Sequence, residues 1–111
     1  MNLQIQWTPI ALQSLSEVLT YTYGQFGERQ LRKLSRRLHV VEQNITFFPY
    51  LGKKETVLVK ATGIEYRRIA VIKEIKLLYT INDSILTIEY VKNNKMDDST
   101  ILNIINNSKS Q

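Results

Sequence analysis

The residues able to do chemistry gather in one stretch. Residues 63–95 read GIEYRRIAVIKEIKLLYTINDSILTIEYVKNNK. The run carries Arg67, Arg68 and Lys76, then Lys92 and Lys95 at its far end, among Tyr66, Tyr79 and Tyr90. Arginine, lysine and tyrosine on one sheet surface can grip a phosphate backbone. They can also stabilise the charged transition state of metal-free RNA cleavage, in which a 2′-hydroxyl attacks the adjacent phosphorus. The competing reading is a sheet face that its charges merely keep wet, with the tyrosines in core or edge positions. For Tyr79, set among Ile75, Leu77 and Ile81, the core reading is preferred.

Strands must position these groups. The stretch breaks at Lys73-Glu74 and at Asn82-Asp83-Ser84 into 64–72, 75–81 and 85–92, each rich in Ile, Val, Leu, Tyr and Thr. Such short connections force antiparallel neighbours, so the pieces form a meander. Alternation puts Arg68 with Tyr66 and Ala70, and Arg67 with Ile69 and Val71. One arginine therefore points toward covering helices and the other toward an open face. Lys76 shares its face with Leu78 and Thr80.

The covering helices precede the meander. Leu3, Ile5 and Trp7 alternate with polar residues as a short strand, and Thr8-Pro9 then starts a helix. Ala11, Leu15, Val18, Leu19 and Phe26 hold one side of it, and Gly27 is the expected stop, with Gly24 one turn earlier as the alternative. A second helix, 28–48, has the seam Leu31, Leu34, Leu38, Val41, Ile45 and Phe48, ended by Pro49. Arg29, Arg32, Lys33, Arg36 and Arg37 form a separate cationic stripe on it. That stripe attracts phosphates or an acidic peptide, or it is a solvated face. No aromatics interleave with it, which argues against a stacking platform. A strand over 56–60 and a helix over 100–106 complete the chain, and the tail from Asn106 is expected to fray. The fold class is α+β, in the order β-α-α-β-β-β-β-α. An antiparallel helical hairpin packs on one face of a mostly antiparallel sheet.

The totals set bounds. With 111 residues and 43% hydrophobic residues the chain is read as one domain over 1–111. Its net charge of +5 favours an anionic partner, nucleic acid or an acidic protein segment. It has no cysteine, hence no disulfide and no thiolate metal site. No apolar run is long enough for a membrane span, and MNLQIQW lacks the features of a signal peptide. A cytoplasmic protein with no membrane partner is expected. There is no phosphate-binding glycine loop, HExxH motif or nucleophile elbow. The single histidine, His39, is read as a plain helix-surface residue, and no metal or cofactor is expected.

Several segments together resemble the RelE/ParE superfamily of toxins. Trp7-Thr8-Pro9 with Ala11, Leu15 and Tyr21 or Tyr23 resembles its opening. Phe48-Pro49-Tyr50-Leu51-Gly52 is similar to the break after its second helix. Tyr66-Arg67-Arg68, then Leu78-Tyr79-Thr80-Ile81 and Asn82-Asp83-Ser84-Ile85, resembles its sheet, and Asn94-Lys95-Met96-Asp97-Asp98 stands before its last helix. The resemblance implies the toxin half of a type II toxin–antitoxin module, of the kind that stabilises plasmids, neutralised by direct binding of a cognate antitoxin. The superfamily divides into ribosome-dependent mRNA endoribonucleases and poisons of DNA gyrase. On the first branch, Arg67, Lys76 and Lys95 would be catalytic. Arg29, Arg32, Lys33, Arg36, Arg37, Arg68 and Lys92 would bind antitoxin or target. Lys95 stands where an arginine is expected, Asp98 replaces a proline, and the last helix has no Tyr or His. Those departures favour a ParE-like poison acting by protein contact, with the RelE-like ribonuclease as the alternative. A basic nucleic-acid-binding module using the helical stripe is the second alternative.

Overall fold

A computed structural model describes residues 3–109 of the chain, and the junction at Thr8 sets its frame. Strand β1 (Gln4–Trp7) ends there and helix α1 (Pro9–Phe47) begins. The Thr8 hydroxyl accepts from the Ala11 amide at 3.0 Å and donates to the Glu89 carbonyl at 3.3 Å. One side chain thus caps the helix and ties it to the sheet.

Helix α1 is broken at Gly27, whose φ of 84° and ψ of −176° belong to backbone that only glycine adopts readily. The expected stop at Gly27 is therefore found as a break within α1. Both arms feed one core, with Ala11 and Val18 from the first and Leu34, Val41 and Ile45 from the second. The second arm returns along β1. The Leu3 amide donates to the Thr46 carbonyl at 3.2 Å, and the Trp7 indole N–H to Glu42 at 3.4 Å. Two expected core residues are instead exposed: Phe26 at 63%, beside the break, and Phe48 at 68%, past the helix end. The apolar periodicity outruns the sheet that it would cover.

Then follow β2 (Lys53–Lys54), α2 (Thr56–Thr62), β3 (Arg67–Ile72), β4 (Ile75–Asn82), β5 (Ile85–Asn93) and α3 (Asp98–Lys109). The sheet order is β1-β5-β4-β3-β2, with β1 parallel to β5 and the other neighbours antiparallel. Three sequence expectations change. The segment 56–60, expected as a strand, is helix α2, and the edge strand is Lys53–Lys54. The first meander strand starts at Arg67 rather than at residue 64. The last helix runs from Asp98 to Lys109, longer than 100–106. Asn2 and the last two residues of the tail lie outside the described residues.

Tertiary context explains α2. Its β-branched residues favour a strand, but Leu58 is fully buried beside Tyr66 and Ile101 while Val57 is exposed. Gly63, at φ 74°, closes it by donating its amide to the Val59 carbonyl at 2.8 Å. The second sheet face is therefore not open. Tyr66, Leu78 and Tyr90 on it are covered by Leu58 of α2 and by Ile101 and Ile105 of α3. Each such side chain contributes about 1.5–3 kcal/mol by leaving water.

Past Trp7 the outer edge of β5 has no strand partner, and helix side chains replace it. Thr8 takes the Glu89 carbonyl, and the buried Ser14 hydroxyl accepts from the Val91 amide at 2.9 Å. Glu89 is the extra residue of a bulge, since Leu78 pairs with Tyr90 and Tyr79 with Ile88.

Two glycine substitutions separate backbone strain from crowding. A Cβ at Gly27 meets nothing within 4 Å, so Gly27→Ala is opposed by backbone conformation alone, about 1–3 kcal/mol. At Gly52 a Cβ would lie 2.5 Å from the Tyr79 hydroxyl and 2.7 Å from the Arg68 carbonyl. Gly52→Ala should therefore cost at least as much, read as a drop in the urea midpoint. Gly52→Ala with Tyr79→Phe should then cost less than the two separate losses added together. Simple additivity would show that the two groups do not crowd each other.

Candidate functional site

The turn after α1 is fastened to the sheet by one tyrosine. The buried Tyr79 hydroxyl donates to the Pro49 carbonyl at 2.8 Å and accepts from the Gly52 amide at 2.9 Å. Burial pushes its pKa up, outweighing the opposing effects of the Gly52 amide and the Arg67 charge. The core reading of Tyr79 holds, and its hydroxyl has a structural job as well.

Arg67, the expected catalytic arginine, joins this turn. It pairs with Tyr79 across β3 and β4, on the face that packs against α1. Its guanidinium donates to the Gly52 carbonyl at 2.7 Å, bonds Glu65 at 3.0 Å and lies over the Tyr50 ring at 4.8 Å. Its side chain is 13% exposed. Glu65 is held below the usual carboxylate range by its hydrogen bonds from Arg67 and then Lys54.

Arg68 faces the other way. Its guanidinium meets the Glu55 carboxylate at 2.9 Å, with Glu55 only 3% exposed and the arginine side chain 40% exposed. The Glu55 amide also donates to the Tyr66 carbonyl at 2.8 Å, which fixes the start of α2 against the strand. Arg68 lies opposite Leu78, and Leu78 opposite Tyr90. One rung along, Ala70, Lys76 and Lys92 stand side by side. The Lys76 ammonium donates to Asn94 at 3.1 Å, while Lys92 is largely buried against Asp98 at 2.7 Å. On the opposite side of the Leu78 row, Thr80 donates to the buried Glu89 carboxylate at 2.8 Å. Burial pushes the Tyr90 hydroxyl up, helped by Glu17.

One sheet face therefore brings together Arg68, Lys76 and Lys92 of the expected residues, with Glu55 as an addition. Lys95 is exposed on the turn before α3. Arg29, Arg32 and Arg36 line a depression of about 350 Å3 on the far side of the molecule, and Lys33 is exposed nearby. Arg37 donates to the Val71 carbonyl at 3.3 Å and so anchors its arm to β3. His39 is exposed, as expected. The strand expected over 56–60 gives Glu55 no role, whereas helix α2 sets it beside Arg68. A Glu before a run ended by glycine was the available helix signal. Among the described residues no three His, Cys, Asp or Glu side chains lie together as metal ligands, and no helix is long and apolar enough to cross a membrane.

Chemically, a carboxylate held by a guanidinium can take a proton, and the cations on adjacent rungs can face an anion. No family model matches the chain, and no curated protein is significantly similar to it in sequence. Solved structures with the same fold include the YoeB dimer from Staphylococcus aureus. It is 19% identical with a TM-score of 0.57, and the match covers 85% of this chain and 99% of that one. The likeness is one of fold: mixed α+β, a five-stranded sheet and flanking helices.

Two measurements bear on this face. Arg68→Met strands a nearly buried carboxylate and should cost about 1–3 kcal/mol, below a fully buried pair because the arginine is partly wet. Arg68→Met with Glu55→Gln should recover part of that loss, and purely additive effects would mean the pair is not coupled. Asp97, before α3, is held below its ordinary value first by the Thr100 amide and then by the side chains of Thr100 and Ser99. A depressed carboxylate stabilises above its unfolded pKa and loses this as pH falls through the folded one. The protection of the Thr100 amide against exchange, relative to its intrinsic rate, should therefore fall below about pH 4. Asp97→Asn should flatten that dependence.

Proposed function

We propose that the chain is the toxin of a type II toxin–antitoxin module and that it acts as a metal-independent endoribonuclease. The observation that carries the reading is the nearly buried Glu55 carboxylate, held by Arg68 on the sheet face that also carries Lys76. The fold shared with the YoeB dimer supports it, together with the resemblance of the sequence to a superfamily that includes ribosome-dependent endoribonucleases. Within that reading, the two arms of α1 are the family's antiparallel hairpin, and a cognate antitoxin neutralises the protein by direct contact.

Glu55 takes the proton of a 2′-hydroxyl as its oxygen attacks the adjacent phosphorus. Arg68 and Lys76 meet the negative charge that grows on the phosphoryl oxygens. The P–O5′ bond breaks, and the leaving oxygen takes a proton from the Lys76 ammonium or from water. The products are a 2′,3′-cyclic phosphate and a 5′-hydroxyl. Catalysis is positioning plus charge stabilisation, which needs no metal.

One ground for a ParE-like gyrase poison is the absence of Tyr or His in the last helix. Glu55 answers that objection, because the acid–base group comes from the start of α2 instead. Protein contact without cleavage remains the second reading, motivated by the lysine at position 95.

The test is cleavage of ribosome-bound mRNA by the purified protein in the presence of EDTA. Glu55→Gln should slow cleavage about 100-fold or more without unfolding the chain. Arg68→Lys, which keeps the charge and loses the fork, should slow it less than Arg68→Met. Growth arrest with intact transcripts and an SOS response would end the ribonuclease reading and favour gyrase.

A further inference from the structure

Across the sheet from Glu55, the second arm of α1 carries a separate charged surface. Arg29, Arg32, Lys33 and Arg36 occupy positions i, i+3, i+4 and i+7, so they share one helical face. Three of these arginines line the same depression of about 350 Å3. Arg29, Lys33 and Arg36 have no ion-pair or hydrogen-bond partner among the described residues. Arg32 meets only Glu28 at 3.1 Å, a pair about two-thirds exposed on both sides and therefore weak. Like charges this close repel one another, so the patch is most stable with an anion in it.

The chemistry of the anion follows from the surroundings. Arginine forks match phosphate oxygens in pairs. At the Gly27 break, where the arm begins, Tyr21, Tyr23 and Phe26 are all more than half exposed. Tyr21 and Phe26 hold an edge-to-face contact at 6.4 Å, so the rings stand together in water. Phe26 stands three residues before Arg29 in the chain, and exposed rings with clustered guanidiniums suit nucleic acid with unpaired bases. An amphipathic acidic peptide finds less here, because Leu34 is buried and Leu31 and Leu38 are half-buried, leaving no apolar groove among the cations.

We propose that this face docks structured RNA, its phosphates on Arg29, Arg32 and Arg36 and unpaired bases on the rings at the Gly27 break. The surface lies on the side of the sheet opposite the Glu55 site. It would anchor the protein to an RNA while the other face works. The proposal does not depend on cleavage, and its test measures binding alone.

The experiment is fluorescence anisotropy of the full chain with an RNA hairpin and with a blunt RNA duplex of equal phosphate number, over a salt series. The triple variant Arg29→Gln/Arg32→Gln/Arg36→Gln should bind the hairpin at least tenfold more weakly. Its log–log salt slope should shrink by about two to three units, roughly one per lost phosphate contact. The corresponding triple lysine variant should restore the slope, which shows that charge and not folding was lost. Phe26→Ala should weaken the hairpin complex and leave the duplex complex unchanged. An unchanged slope in the glutamine variant, or no recovery in the lysine variant, would overturn the proposal. So would equal effects of Phe26→Ala on both RNAs. Displacement of the hairpin by poly-glutamate at equal charge would overturn it too, in favour of an acidic protein segment.

Discussion

The Tyr79 hydroxyl, held between the Pro49 carbonyl and the Gly52 amide, is the interaction on which the placement of the rest depends. A long helix ends at Phe47, and the chain must leave it, turn, and enter the sheet within a few residues. The backbone groups of that turn have few partners of their own. Tyr79 supplies one acceptor and one donor from the centre of the sheet, and Arg67 supplies another donor to the Gly52 carbonyl. An unmet buried group would cost about 1–3 kcal/mol, so both bonds matter to a domain of marginal stability. The absence of a side chain at position 52 is what lets the phenol come so close. With the turn fixed, Lys53–Lys54 pairs with Arg67 and Arg68, and Glu55 arrives beside the Arg68 guanidinium.

The two faces of the sheet then carry different kinds of burden. The α1 face is almost wholly apolar, with Val71, Leu77, Tyr79, Leu86, Ile88 and Val91 under the two helical arms. The opposite face mixes a smaller apolar cluster with ion pairs and a buried carboxylate. Polar groups there have partners: Glu55 with Arg68, Lys92 with Asp98, Glu89 with Thr80. No buried side-chain nitrogen or oxygen among the described residues is left without one. A face of this kind adds little stability per residue, because desolvating charges offsets what their pairing returns. It does keep charged groups fixed at the edge of water, which is what binding or proton transfer requires.

Much of the frame was legible in the residues. Thr8-Pro9, Gly27, Pro49 and the three β-rich runs mark the long helix, its break, its end and the meander, because each acts through local backbone preference. What stayed hidden was decided at long range. A run of Thr, Val, Leu and Val prefers a strand by itself, and it becomes α2 because Leu58 has a pocket formed by Tyr66 and Ile101, residues distant in sequence. Phe26 and Phe48 continue their helical stripes in sequence, yet the sheet beneath them stops. Ser14 sits on an apolar stripe for a reason visible only once β5 is seen to outrun β1. Glu55 carried no local signal of its burial, since that depends on Arg68 and on the helix that follows.

Arg67 and Arg68 show how one rule can be right and still insufficient. Alternation requires adjacent strand residues to face opposite ways, and they do. It does not say which face is which. The neighbours decide: Arg67 shares its side with Ile69, Val71 and Tyr79, the face that must be buried under α1. Its charge can remain there only at the strand's end, where the Gly52 carbonyl, Glu65 and the Tyr50 ring compensate for lost water. Arg68, beside the small Ala70 and opposite Leu78, falls on the face with room for a carboxylate partner and partial access to water. Two arginines of the same type, one residue apart, thus take different work. One is spent on holding a turn closed. The other holds the nearly buried Glu55 carboxylate at the edge of water.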